Sequence, residues 1–451
     1  MIRNGLIITI LIAILATSQL APAQAAANQA PTKTPIQHFI VLLQENHSFD
    51  NYFGTYPGAD GFPPGLKIPV DPKKPEAGFV EPWHLGNTTI TDLSHNAATF
   101  REQYNNGEMN GFVAALDRRK QNGRQALGYY NGEDIPYYWN LADHYVLFDR
   151  FFSSARDGSF ANHFYWIAGA PPVTEQNEDL AAKLTTVPTI FDSLEKAGIS
   201  WKFYVQNYDP SINYRNLETA GNRASQIIWV PLLNFDRFID DPNLASHIVD
   251  LSQYYVDLRQ GTLPAVSYIA PSGASEHPPG SLISGQRFVK TLLQELMRSS
   301  AWESSAFLLA YDDWGGWYDH VSPPQVDKYG YGLRVPALLV SPYAKRGYID
   351  GTTLDFTSML KFIEENWGIA PLAERDRQAN NILSAFDFKQ APRQPEFLPF
   401  ERETVKAASQ DPSKVIYTGY GIAFSLSVLA IGLAHFRTRK AKKQKRDEVS
   451  K

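Results

Sequence analysis

Two apolar runs in this chain stop abruptly at acidic and amide side chains. IQHFIVLL (36–43) runs into Gln44-Glu45-Asn46, and AFLLAY (306–311) runs into Asp312-Asp313. Short continuous apolar runs read as strands buried on both faces, and such strands need a covering layer on each side. A third run, VLFDRFF (146–152), ends in SSARDGSFANH (153–163). The candidate strands are then Phe39–Leu43, Val146–Phe152, Trp201–Val205, Ala265–Ala270, Phe307–Ala310 and Val335–Val340. Between some of them lie amphipathic helices. Phe288, Val289, Leu292, Leu293, Leu296 and Met297 make a stripe at helical spacing, and DFTSMLKFIEENWG opens a second helix at Asp355. Strands alternating with helices predict an α/β fold with a largely parallel central sheet. In such sheets ligands bind beyond the carboxyl ends of the strands, which is where these polar groups fall. Residues 57–82 are rich in proline and read as a surface excursion.

The ends carry a different pattern. Arg3 precedes an apolar core from Leu6 to Leu15, and Ala23-Gln24-Ala25 resembles a cleavage site, so residues 1–25 read as a signal peptide, with an uncleaved anchor as the alternative. Residues 415–436 are long and apolar enough to span a bilayer as one helix, and the basic stretch 437–451 after them is expected to stay cytoplasmic. A buried core helix with a solvated tail is the alternative there. Residues 33–400 then form one catalytic domain, joined by a polar linker (401–414) to the span. The expectation is a single-pass cell-membrane protein with its catalytic domain outside the cytoplasm.

The chain contains no cysteine, so thiol nucleophiles, disulfides and thiolate metal sites are excluded. A net charge of −5 gives no footprint for nucleic acid. Two strands that both end in carboxylates repel one another unless something positive lies between them, and a divalent cation is an economical solution. Oxygen ligands suit Mg, Ca or Mn, while imidazole would admit Zn or Fe. Solvation of Asp312 and Asp313 at a loop start is the simpler alternative. Ser159 stands where a metal-activated hydroxyl nucleophile would be placed, although a serine there also serves as a helix N-cap. His95 and His277 lie in polar loops and are candidates for phosphate contact or proton donation, or are merely structural. His38, inside the first strand, reads as structural.

These blocks, taken in order, resemble the phosphoesterase family of bacterial phospholipases C and acid phosphatases. That family has an alkaline phosphatase-like fold, a three-layer sandwich around a largely parallel sheet. The resemblance runs through QENHSFDNYFGTYPGADGF, NGEMNGFVAA, YYWNLADHYVLFDRFFSS, SEHPPGSLISGQ, WESSAFLLAYDDWGGWYDHVSPP and GLRVPALLVSPYAKRGYID. It implies a divalent metal held by Glu45, Asn46, Asp312 and Asp313, with the nucleophile Ser159 also at the metal. It maps the family's phosphate-contacting histidines to His95 and His277. His47 stands where the family usually has Arg, Asp313 where Glu is common, and Gly158 and Ala161 replace two prolines of the nucleophile loop. Phospholipase C members tend to carry Thr at the nucleophile, and the acid phosphatase carries Ser.

The expected activity is metal-dependent phosphoester hydrolysis, of phospholipase C type, on a phosphoester that includes phospholipid. His277 is expected to protonate the leaving oxygen and His95 to stabilise charge, the two roles being interchangeable on sequence alone. An acid phosphatase-type monoesterase is the alternative within the class. A catalytically inactive surface binding protein is the alternative outside it, and that would predict loss of the metal or nucleophile residues, all of which are present. Ser-x-x-Lys matches at Ser193 and Ser358 fall inside amphipathic helices, where that spacing arises by chance.

Overall fold

The run HFIVLLQ forms β1 (His38–Gln44), and all of its residues are buried, as a strand covered on both faces must be. The computed structural model describes residues 31–86, 90–170, 187–273 and 275–402. Around β1 stand β2 (Val146–Phe148), β3 (Trp201–Val205), β4 (Ile248–Asp250), β5 (Val266–Ala270), β6 (Ser305–Tyr311), β7 (Ala337–Val340) and β8 (Tyr348–Asp350). They form one 8-stranded sheet in the order β8-β2-β7-β6-β1-β5-β3-β4.

Pairing is parallel except around β7, which runs antiparallel to β6 and to β2. The reason lies in the connection. After β6 the chain has no helix to carry it across the sheet before β7, so it re-enters from the edge it left and must run the opposite way.

The helices that matter for the site are α1 (Phe49–Phe53), α2 (Ala97–Tyr104), α3 (Pro136–His144), α4 (Ser159–Ala168), α5 (Ile190–Ala197), α6 (Ser252–Gln260), α7 (Leu282–Arg298) and α8 (Phe356–Trp367). In α7 the predicted stripe from Phe288 to Met297 is buried, and the Ser281 side chain caps the helix by accepting from the Ser284 N–H. In α8, Asp355 and Ser358 form a reciprocal capping box.

Ring contacts fix the layers. Phe39 of β1 meets Phe362 of α8 at 4.8 Å, and Tyr268 of β5, in register with Val41, meets Trp166 of α4 at 4.4 Å and Phe191 of α5 at 4.9 Å. Those residues share one face. On the other, Tyr204 of β3 packs on Tyr254 of α6 at 5.4 Å, and its hydroxyl donates to Asp257 at 2.6 Å. Helices therefore cover both faces of the sheet, and the expected three-layer α/β architecture is what the chain adopts.

The topology places four strand ends together. Gln44 pairs with Tyr311, so β1 and β6 finish side by side, with β5 alongside β1. Two antiparallel steps through β7 leave β2 pointing the same way as β6. The carboxyl ends of β1, β2, β5 and β6 thus share one edge of the sheet.

The predicted signal peptide (1–25), the span (415–436) and the basic tail (437–451) lie outside the described residues. Among the described residues no helix is long and apolar enough to cross a membrane. Of the predicted linker, Glu401 and Arg402 are held against α3: Asn140 donates to the Glu401 carbonyl (2.8 Å), and Arg402 donates to Asn140 (2.8 Å) and pairs with Asp143.

Candidate active site

The adjacency of β1 and β6 carries Glu45-Asn46 and Asp312-Asp313 to the same point. The Asp312 N–H donates to the Gln44 carbonyl at 3.0 Å, continuing the strand ladder by one bond. Both acids are then oriented by their own loop: the Asp313 N–H donates to Asp312 Oδ1 and the Gly315 N–H donates to Asp313 Oδ1, each at 2.7 Å. Gly315 has φ +59°, and a Cβ there would lie 2.2 Å from the Asn46 carbonyl oxygen. Only glycine fits.

From the β2 side the chain delivers Ser159 as the first residue of α4, with Gly158 in the cap position, so the serine is not itself the N-cap. Its Oγ donates to Asp313 Oδ2 at 3.1 Å. One turn later, His163 Nδ1 donates to the Ser159 carbonyl (2.9 Å) and lies 3.8 Å from Asp312 Oδ2. Beyond β5, His277 enters from the opposite side, and His95 comes from the loop before α2.

Asn46 stands at the centre. One terminal atom of its amide lies 2.8 Å from Asp312 Oδ1, and the other lies 3.1 Å from Nε2 of both His95 and His277. Without a cation, the NH2 must face Asp312 and the oxygen must face the imidazoles. Were a cation held among these oxygens, Asn46 and Asp312 would be among the groups that hold it. The Nδ1 atoms of the histidines are anchored outside, His95 donating to the Leu93 carbonyl (2.6 Å) and His277 to the Pro278 carbonyl (2.8 Å).

The electrostatics are those of an acid cluster short of positive charge. Burial, then the charges of Asp312 and Asp313, push Glu45 well above the usual carboxylate range. Burial, then Asp313, does the same to Asp312. Burial raises Asp313 to about 8 against the hydrogen bonds from Gly315 and Ser159. Burial lowers His163 to about 4, so it stands neutral. Glu45 Oε1 is buried and has no hydrogen-bond partner.

The rest of the fold supplies the contrast. Arg334, fully buried, donates to Asp319 Oδ1 (2.9 Å) and Asp50 Oδ1 (3.1 Å), and to the carbonyls of Asp60 (2.7 Å) and Asp149 (2.8 Å). Buried Asp355 faces Arg375 at 3.5 Å. Among the described residues no lysine or arginine forms an ion pair with Glu45, Asp312 or Asp313. Oxygen donors without an internal cation, one of them unpartnered, suit a hard divalent ion.

All the residues singled out in the sequence converge here: Glu45, Asn46, His95, Ser159, His277, Asp312 and Asp313. Two further groups were not anticipated as ligands. His163 joins Glu45 and Asp312, and Asp92 joins His95 and His277, in sets whose ligand atoms lie within 4.8 Å of one another. Spacing held the only signal: His163 is one helical turn after Ser159, and Asp92 is three residues before His95. His38 is structural as expected, with Nδ1 2.9 Å from the Pro264 carbonyl. His47 is structural too. Burial pushes it down to about 3, its Nδ1 donates to Asn51 Oδ1 (2.7 Å), and its ring stacks on Trp317.

The phosphoesterase family model matches residues 36–370. Non-hemolytic phospholipase C of Burkholderia pseudomallei is 29% identical, covering 80% of this chain and 60% of that protein. Phospholipase C A of Mycobacterium tuberculosis is 28% identical, covering 80% and 78% respectively. Non-specific phospholipase C1 of Arabidopsis thaliana is 26% identical, covering 82% and 75%. The chain spans 60% and 62% of the length of the Burkholderia and Pseudomonas aeruginosa non-hemolytic enzymes. Among solved structures, a protein in the alkaline phosphatase superfamily from Vibrio parahaemolyticus is 13% identical, covering 77% of this chain and 74% of that one with a TM-score of 0.36. With a match that begins just before β1 and runs through α8, taking in every strand end of the site, this chain belongs to the phosphoesterase family.

Proposed function

We propose that this protein hydrolyses phosphoesters through Ser159, with phospholipase C-type phosphodiesters, including phospholipids, as its substrates. One observation carries the reading. Three buried carboxylates and Asn46 converge on a serine hydroxyl, with no internal cation among the described residues. Glu45, Asn46, Asp312, Asp313 and the Ser159 hydroxyl are the groups that would hold a divalent ion. When bound, that ion supplies charge neutralisation and lowers the pKa of the hydroxyl.

The protein's own groups account for the proton movements. The Ser159 hydroxyl already donates to Asp313 Oδ2, which takes the proton as Oγ attacks phosphorus in line. The bond from phosphorus to the alcohol oxygen breaks, and His277 gives its Nε2 proton to that oxygen. His95 Nε2 stabilises charge on the phosphoryl oxygens. Water then attacks the seryl ester, His277 takes back a proton, and Asp313 returns one to Ser159.

The names of the sequence relatives favour a diester, while serine rather than threonine at position 159 favours a monoester. A membrane tether through residues 415–436 belongs to the same proposal and rests on sequence alone. The test is a panel of chromogenic phosphodiesters and phosphomonoesters with EDTA and metal add-back. Faster turnover of the diester, lost on chelation and restored by metal, is expected. Turnover of neither class in the metal-loaded protein would overturn the reading.

A further inference from the structure

We propose that Glu276 is a positioning residue for His277, locking the imidazole's loop to both strand ends that carry the acidic cradle. The proposal rests on His277 as the proton donor to the leaving group.

Glu276 is fully buried, yet among the described residues no arginine or lysine pairs with it. Three tyrosine hydroxyls do. Tyr52 of α1 and Tyr311 of β6 each donate to Oε2 at 2.6 Å, and Tyr138 of α3 donates to Oε1. Its backbone is held as well: the Glu276 N–H donates to Gln44 Oε1 (3.1 Å). The fourth wall is α7, where a Cβ on Gly285 would sit 2.0 Å from Glu276 Oε1.

The chain positions of these partners carry the argument. Gln44 immediately precedes Glu45-Asn46, Tyr311 immediately precedes Asp312-Asp313, and Glu276 immediately precedes His277. Glu276 therefore ties the residue after it to both strand ends, to β1 through its backbone N–H and to β6 through its carboxylate. His277 Nε2 is left 3.1 Å from the Asn46 amide. Burying a carboxylate is unfavourable, and three hydroxyl donors offset that only in part, since burial still raises Glu276 to about 7. A leucine would fill the space more cheaply, but it could not hold three elements at a fixed distance from the loop.

A structural glutamate and a positioning one differ in what their loss does to leaving-group dependence. Proton donation matters for a poor leaving alcohol and little for nitrophenol, so the readout is the ratio of kcat on a nitrophenyl diester to kcat on an alkyl diester. Glu276→Gln keeps the shape but puts an NH2 among hydroxyl donors, and it should raise that ratio about 10-fold, against about 100-fold for His277→Ala. The double variant should raise it no further than His277→Ala alone, because both act through one proton transfer. Tyr138→Phe, which keeps the carboxylate and removes one donor, should raise the ratio by less, and it serves should Glu276→Gln fail to fold.

An equal loss on both substrates in the Glu276→Gln and Tyr138→Phe variants, or additive effects with His277→Ala, would overturn the positioning role alone. A His277→Ala variant whose ratio is unchanged would overturn the proton-donor reading, and this proposal with it.

Discussion

The Ser159 hydroxyl donates to Asp313 Oδ2 across 3.1 Å, joining the first turn of α4 to the loop after β6. The serine is aimed by a helix start and the acid by a strand end, so neither depends on a mobile tip. Ser159→Ala removes the hydroxyl proposed as nucleophile and leaves the backbone of α4 untouched. It should lower kcat on order 10^4-fold or more, the scale seen when nucleophiles are deleted elsewhere, with unchanged circular dichroism. Activity within tenfold of the parent would count against the assignment.

The uncompensated cradle predicts metal-linked stability. A divalent ion at about a hundredfold excess over its Kd should add about 2.7 kcal/mol, because it binds the folded chain and not the unfolded one. The melting temperature should fall on adding EDTA and recover on adding metal. Replacing Asp312 with Asn should shrink that difference, and a difference that survives the substitution would place the ion elsewhere.

Arg334 is the internal cation that the cradle lacks. Arg334→Met takes the guanidinium from buried Asp50 and Asp319, which keep only His320 and backbone N–H groups, and should destabilise the fold by about 3–5 kcal/mol. Denaturant titration measures it. Because Arg334 touches none of the cradle residues in its hydrogen bonds, kcat per folded molecule should stay near that of the parent.

Burial raises Glu276 from an ordinary 4.5 to about 7. A carboxyl whose folded pKa lies above its unfolded one binds more protons when folded, so its contribution to stability is lost as pH rises from about 4.5 through about 7. Glu276→Gln has no such dependence. The stability of the parent minus that of Glu276→Gln should therefore fall between about pH 5 and about pH 8. Taking the difference cancels the titration of Glu45, Asp312 and Asp313. A flat difference would show that the tyrosines hold the carboxylate charged throughout.

Much of this was legible in the sequence, for a physical reason. Strands buried on both faces write themselves as unbroken apolar runs, so β1, β3, β5 and β6 stand where the runs are. The three-residue edge strands β4 and β8 are partly exposed and leave no such run. The acids at strand ends were visible because a carboxylate directly after an apolar run has little reason to be there otherwise. Glu276 was not visible. Its partners Tyr52, Tyr138 and Tyr311 come from three distant segments, and a tyrosine with a buried carboxylate looks in sequence like any core aromatic. Arg334 was hidden likewise, as one residue in the lead-in to β7.

The central position of β1 has a kinetic consequence. His38 pairs with Ser305 and Phe39 with Val266, so the first of the described strands finds both of its neighbours far along the chain. Until those segments exist, an apolar strand with two bare edges waits in solution, the kind of template on which aggregation begins. Pairings of such long sequence separation also make folding slow. The strand order that assembles the cradle therefore also means that β1 cannot be enclosed on both edges until residue 311 has been made.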